Sequence, residues 1–345
     1  MRSRRPKPLH LICGRAMVMH VIHALEAVQP ATTVVVVGHG GEQVTQRVGS
    51  DAPSWANVRF VRQDEQRGTG DAAAVGLGCL DGDDIDDTST ILVLPGDTPL
   101  LTSSSIKALV DHHESSGNGA TVLTSSMEDP AGYGRIVRHK DGRVLRIVED
   151  RDATHDERAI SEINTGIYAF RRDLLGPALR GIDTNNSQAE YYLTDVIDIL
   201  ASRGHRVGAV EAPASETAGV NDRLQLAMAE RELRARINRQ WLLAGVTMLD
   251  PRQAFIDVTV SIGRDVTLFP GVILQGDSRI GDGCQIGPDV RLVDTTVGEK
   301  CVVSVTTAVG AVVSDGATVG PFASLEPGSV VDKDASTGSF YTGRP

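Results

Sequence analysis

Short apolar runs and amphipathic stretches alternate along the first two-thirds of this chain. TTVVVVG (32–38) reads as a buried strand, VRFVRQ (58–63) as a second and TILVLPGD (90–97) as a third, with helical patterns at 69–80 and 103–116. Strand and helix in alternation predict a parallel, doubly wound sheet. Residues 119–171 are richer in strand patterns: GATVLTSSM, then GRIVRHKDGRVLRIVED with a DG turn, then EINTGIYAF. They predict a hairpin-bearing insertion around the edge of that sheet. A long helix is expected over 222–244, capped by Asn221 and closed by Gly245, with the length and charge of a strut between domains.

Beyond it the period changes. Ile256, Ile262, Leu268, Leu274, Ile280, Ile286 and Leu292 fall six apart, and four residues after each stands a small or β-branched residue: Val260, Val266, Val272, Ser278, Cys284, Val290 and Thr296. The period slips by one, resumes at Val297, Val303 and Val309, then slips again to run through Val313, Val319, Leu325 and Val331. Antiparallel strands would repeat every second residue. A period of six marks the hexapeptide coils of a parallel β-helix, which stack small aliphatic side chains on one another.

Composition agrees with both halves. Only 4% of residues are aromatic, as coils packed with small aliphatics require, while 41% are apolar and 23% charged. The net charge of −11 disfavours nucleic acid and anionic membrane surfaces as partners, since its field repels polyphosphate. MRSRRPKPLH is a local basic exception. The following LHLICGRAMVMHVIHAL is broken by His10, Gly14, Arg15, His20 and His23, so it does not make a secretory signal. No run approaches a membrane span. Cys13, Cys79, Cys284 and Cys301 lie far apart without a CxxC, the pattern of reduced thiols in a cytoplasmic protein.

Two segments carry candidate chemistry. QDEQRGTGDAAA (63–74) joins a strand to a helix through a glycine turn able to bring backbone N–H groups to a phosphate or a base edge. LPGDTPLL (94–101) ends a strand in Asp97, at the carboxyl end where open α/β sheets bind ligands; a carboxylate there has the position and hardness for Mg²⁺. Asn221 could be a second oxygen ligand or simply the helix cap.

These pieces in this order, beside hexapeptide coils, resemble the GlmU family, in which an N-acetylglucosamine-1-phosphate uridylyltransferase is joined to a glucosamine-1-phosphate acetyltransferase. The likeness runs through RRPKPLH, QDEQRGTG, PGDTPL, GYGRIVR, IVEDRDAT, EINTGIYAF, YYLTDV, GVNDRLQL and GPFASLEPG. It implies an α/β fold: a Rossmann-like, GT-A-like nucleotidyltransferase domain (1–221), a linker helix (222–245) and part of a left-handed parallel β-helix (246–345). It further implies that Gln63, Gly68, Thr69 and Gly96 hold the nucleotide and that Gly134, Glu149 and Asn164 hold the sugar. Asp97 and Asn221 would carry Mg²⁺, with Lys7 near the phosphates and, with Asp97, catalytic. The implied substrates are UTP and N-acetylglucosamine 1-phosphate, giving UDP-N-acetylglucosamine for cell-wall synthesis, and the implied assembly is a homotrimer through the β-helix. Another sugar-phosphate nucleotidyltransferase or an inactive trimerising paralogue would share much of this pattern. From the residues alone, Glu149 also reads as a solvated strand end, Asn164 as a strand residue serving a loop, Gly134 as a turn glycine, and Tyr192 and Asp195 as helix surface.

The resemblance has two departures. In the family a strand and an L-A-A-G-x-G-T-R-M loop precede the PK-x-L-H segment, whereas this sequence opens at the equivalent of that Met. A first domain lacking a central strand and a phosphate loop is therefore expected. At the other end no histidine follows His205 to act as base for acetyl transfer, and Glu326 stands in place of a family arginine. Acetyltransferase activity is not expected.

Overall fold

A computed structural model describes residue 1 and residues 3–80 and 86–343 of the 345. Arg2, one of the opening basic residues, lies outside them. Two compact units result, Met1–His10 with Ala16–Gln225, and Leu11–Arg15 with Leu226–Pro345. The split passes inside the long helix. The first domain drawn from sequence as continuous over 1–221 is interrupted by the five residues of 11–15, which side with the second unit.

Those residues form the tight hairpin of β1 (Leu11–Ile12) and β2 (Arg15–Ala16), turned through Cys13 and Gly14 at positive φ. In the first unit follow α1 (Met17–Ala24), β3 (Thr33–Val37), α2 (Gly41–Asp51), β4 (Val58–Arg62), α3 (Thr69–Gly78), β5 (Thr90–Val93) and α4 (Ser103–Ser116). Then come β6 (Ala120–Ser126), β7 (Arg135–Arg138), β8 (Val144–Val148), α5 (His155–Arg158), β9 (Glu162–Arg171), α6 (Arg172–Leu179), α7 (Asp195–Ser202), β10 (Val207–Glu211) and α8 (Ala214–Thr217).

The expected wholly parallel sheet is corrected by β9. This ten-residue strand runs antiparallel to β6 along one edge and to β5 and β7 along the other, while β10 pairs with β6 in parallel. Nor is 119–171 an edge insertion, because β6 and β9 are central and only the β7–β8 hairpin is peripheral. The physical reason is alternation in β9. Tyr168 and Phe170 face a core with Val196 and Ile197 of α7, while Ile167 and Ala169 face Ile106 and Leu109 of α4, so the strand is covered on both sides.

β3 and β4 form a separate two-stranded parallel sheet. TTVVVVG, expected to be buried, is only half-buried except at Val37. Among the described residues β3 pairs with β4 alone and β5 with β9 alone, so each leaves one backbone edge without a strand beside it.

The helix α9 (Arg223–Leu243) is capped by Asp222, whose carboxylate accepts from Gln225 N at 2.8 Å, and not by Asn221 as the pattern suggested. Gly245, in the left-handed region at φ +100°, closes it, and Val246 N donates back to Trp241 O at 3.0 Å. In the second unit sixteen two- to four-residue strands from Thr247–Met248 to Thr342–Gly343 stack into three parallel sheets, a β-helix. The hexad residues from Ile256 to Leu292 are buried in it. Two positions differ from the expected register. Thr295, not Thr296, and Ala308, not Val309, point inward, because tight corners with positive φ at Asp294 and Val305 shorten those coils by a residue.

Candidate active site

Three groups of residues make up the candidate site, the first of them just past the carboxyl end of β5. The first is cationic and oxygen-rich. A 3₁₀ turn over Lys7–Leu9 carries Lys7, whose Nζ donates both to Asp97 Oδ2, in a short ion pair, and to Asn221 Oδ1 at 2.6 Å. Asp97 is held by its backbone, since its carbonyl accepts from Val220 N at 2.9 Å, which brings the residue before Asn221 alongside. With Asp222 doing the capping, the Asn221 amide is free to serve this cluster. An ammonium shared by a carboxylate and an amide oxygen marks two hard oxygen donors facing one cation, so Asp97 and Asn221 would suit Mg²⁺. Among the described residues no set of three or more His, Cys, Asp or Glu side chains is grouped to hold a metal by itself.

The second group is the glycine turn. Gln63 follows β4 and donates through Nε2 to Asp71 Oδ2 at 2.8 Å, while Arg67 donates to the other Asp71 oxygen at 2.7 Å. Gly68 opens α3 at φ +115°, and a Cβ there would stand 2.5 Å from Tyr191 O, so only glycine lets the turn approach residues 191–193. Tyr191 N donates to Arg67 O, Gly70 N to Tyr191 O, both at 2.8 Å, and Leu193 N to Thr69 Oγ1 at 3.0 Å. Gln63 also lines an open cleft of about 1000 Å³ past the ends of β3 and β4, with Gly38, Phe60 and Gln66.

The third group is polar and half-buried. Asn164 N donates to Gly134 O at 2.8 Å. A register shift opposite Leu123 and Thr124 leaves Thr165 and Gly166 bulged out of β9, and Asn164 Oδ1 accepts from Gly166 N at 3.1 Å. Glu149 accepts from Thr194 Oγ1 at 3.1 Å; burial raises its pKa above the ordinary carboxylate range, and the Thr194 hydroxyl opposes the shift. Residues 191–194 therefore link the glycine turn to this carboxyl. The β5–β9 register, with Val93 opposite Tyr168, carries Pro95 to within 3.7 Å of a Cβ placed on Gly166, two residues after Asn164. Gly96 has only Val18 near its open side, at 3.8 Å.

Against this geometry, residues 2–241 match the nucleotidyl transferase family and residues 259–293 the bacterial transferase hexapeptide repeats. The bifunctional protein GlmU of Streptomyces avermitilis is 46% identical over 99% of this chain and 70% of its own length. Those of Caldanaerobacter subterraneus subsp. tengcongensis and Halalkalibacterium halodurans are 41% and 40% identical, over 96% and 99% of this chain and 70% and 73% of theirs.

The chain belongs to the GlmU family.

It is accordingly a nucleotidyltransferase with a hexapeptide β-helix. Of the site residues expected from the GlmU resemblance, hydrogen bonds bring Lys7 together with Asp97 and Asn221, and Asn164 with Gly134. Residue reasoning missed Thr194, the partner of Glu149, and misread YLTDV as helix surface. Tyr192 is buried and Asp195 half-buried, its pKa pushed up to about 6 by burial first and then by Asp183 and Glu149. The signal was present in the unbroken run YYLTDV. The cleft residues Gly38, Phe60 and Gln66 were also passed over, although GHGGE directly follows a strand, the position that marks ligand ends of α/β sheets. Among the described residues no helix is long and apolar enough to cross a membrane.

Proposed function

We propose that this chain transfers the uridylyl group of UTP to N-acetylglucosamine 1-phosphate, with Mg²⁺, forming UDP-N-acetylglucosamine and pyrophosphate. The observation that carries the reading is the Lys7 ammonium bridging Asp97 and Asn221 just past the carboxyl end of β5. A phosphate oxygen of the sugar phosphate attacks the α-phosphorus in line, a new P–O bond forms, and pyrophosphate leaves with the old one. The nucleophile is already anionic, so no side chain has to move a proton, and the protein's task is to place two anions and offset their charge. Asp97 and Asn221 would hold Mg²⁺, which would supply that offset at the phosphates.

Around it Lys7 contributes a positive charge to the phosphates. Gln63 and the turn of Gly68 and Thr69 meet the base and ribose, with Gly96 giving close passage. Glu149, desolvated enough to have a raised pKa, accepts a hydrogen bond from a sugar hydroxyl or amide with little competition from water. The proposal is confined to nucleotidyl transfer, to a homotrimer assembled through the β-helix, and to the cytoplasm. Several of the relatives are named as bifunctional proteins.

The test is pyrophosphate release from each of the four nucleoside triphosphates with N-acetylglucosamine 1-phosphate and Mg²⁺. Release with UTP alone is expected. Preference for another triphosphate would redirect the reading to a different sugar-phosphate nucleotidyltransferase, and no release with any of the four would sink it. Sedimentation equilibrium checks the trimer.

A further inference from the structure

Among the described residues Arg135 heads the largest fully buried side chains, at 2% exposure, and it lies outside the groups of the candidate site. It opens β7, opposite Val148 of β8 and Ile163 of β9. Continuing the β7–β8 register outward sets Gly134 against Glu149 and, one rung further, Tyr133 against Asp150. The guanidinium reaches back to that outer rung and holds both of its sides. Nη1 donates to Tyr133 O, and Nη2 donates to Asp150 Oδ1 at 3.1 Å. Asp150 is tied in turn, its carbonyl accepting from Arg158 Nε at 3.4 Å.

A buried guanidinium is costly unless its donors are paired, and here Nε has no partner. An apolar side chain of similar volume would fill the same place between three strands without that cost. The contacts Arg135 does make converge on the two chain segments that present Gly134 and Glu149. We propose that Arg135, acting through Asp150, is a positioning residue for the sugar phosphate: it clamps the strand ahead of Gly134 to the chain after Glu149 and so sets the width of the sugar side of the site. The inference rests on the assignment of that group to the sugar under the proposed function. The clamp bonds Tyr133 and Asp150, whereas the glycine turn is anchored directly on residues 191–193, which reach Glu149 only through the Thr194 hydroxyl, so the nucleotide side has anchors of its own.

The experiment compares wild type, Asp150→Asn and Arg135→Lys by calorimetric binding of N-acetylglucosamine 1-phosphate and, separately, of UTP with Mg²⁺, with far-UV circular dichroism as the check on folding. Asp150→Asn keeps an acceptor but removes the charge, and is expected to weaken sugar phosphate binding roughly tenfold while UTP binding stays within about twofold. Arg135→Lys, which loses the fork that spans both segments, is expected to do the same. A parallel loss for both ligands, or no loss for the sugar phosphate in a folded variant, overturns the clamp. Should Arg135→Lys fail to fold, Asp150→Asn decides alone, because Asp150 is about a third exposed. If wild type binds UTP but not the sugar phosphate, the sugar-site assignment falls and the clamp with it. If wild type binds both and the variants lose both alike, only the clamp falls.

Discussion

Lys7 Nζ stands 2.6 Å from Asn221 Oδ1, 214 positions away in sequence, and its charge is shared with Asp97. On the proposed function, Asp97 and Asn221 would hold the metal ion, which would have to displace this ammonium, and Lys7 would then be free to face the phosphates.

Replacing Lys7 with Met should consequently tighten Mn²⁺ binding to the nucleotide-free protein several-fold, because no ammonium has to be expelled, while lowering turnover with UTP. Mn²⁺ titration followed by electron paramagnetic resonance measures the first effect. Equal or weaker binding in Lys7→Met would remove the lysine from the cation site.

Asn221 and Asp222 are adjacent but serve different purposes. Asp222→Ala should cost about 1 kcal/mol of stability through the lost cap of α9, with metal affinity little changed. Asn221→Ala should reverse the pattern. Urea unfolding beside the same Mn²⁺ titration separates the two.

The approach of Gly68 to Tyr191 O leaves no room for a side chain. Gly68→Ala must either move the turn or accept left-handed strain, an expected loss of about 1–3 kcal/mol, together with UTP affinity. Retention of wild-type UTP binding by this variant would show that the turn does not hold the nucleotide.

Asp195 supplies a pH dependence. Its folded pKa of about 6 lies above the ordinary 3.8, so between those values the unfolded chain is ionised while the folded one still holds its proton, and this group's contribution to stability falls as pH rises through that window. Asp195→Asn removes the loss. It should stabilise the protein at pH 7 by about 1 kcal/mol, allowing for the group's half-exposure, and the gain should vanish as pH falls toward 4. Urea midpoints at several pH values measure it, and a gain that persists at pH 4 would point to a cause other than this carboxyl.

Local pattern determined much of this protein by itself. The hexads from Ile256 to Leu292 name their own fold, since a period of six with small side chains has one packing solution. The strands at 33–37, 58–62 and 90–93 and the helices at 69–78 and 103–116 follow from apolar periodicity and caps. The motifs QDEQRGTG, PGDTPL and EINTG pointed to candidate site residues through resemblance. Tertiary structure decided what local pattern leaves degenerate. Strand direction is one case, because an apolar run such as GIYAF packs equally well parallel or antiparallel, and only the pairing of β9 with β5, β6 and β7 settles it. The inward register after Leu292 is another, since it depends on coil corners at Asp294 and Val305 whose shortening carries no periodic signal. Asp222 caps the helix while the Asn221 amide meets Lys7, brought in from the far end of the chain, and local pattern does not tell the two neighbours apart. Arg135 gave no sign from sequence of being buried, because an arginine at a strand start reads as exposed until the partner that neutralises it, Asp150, is folded against it.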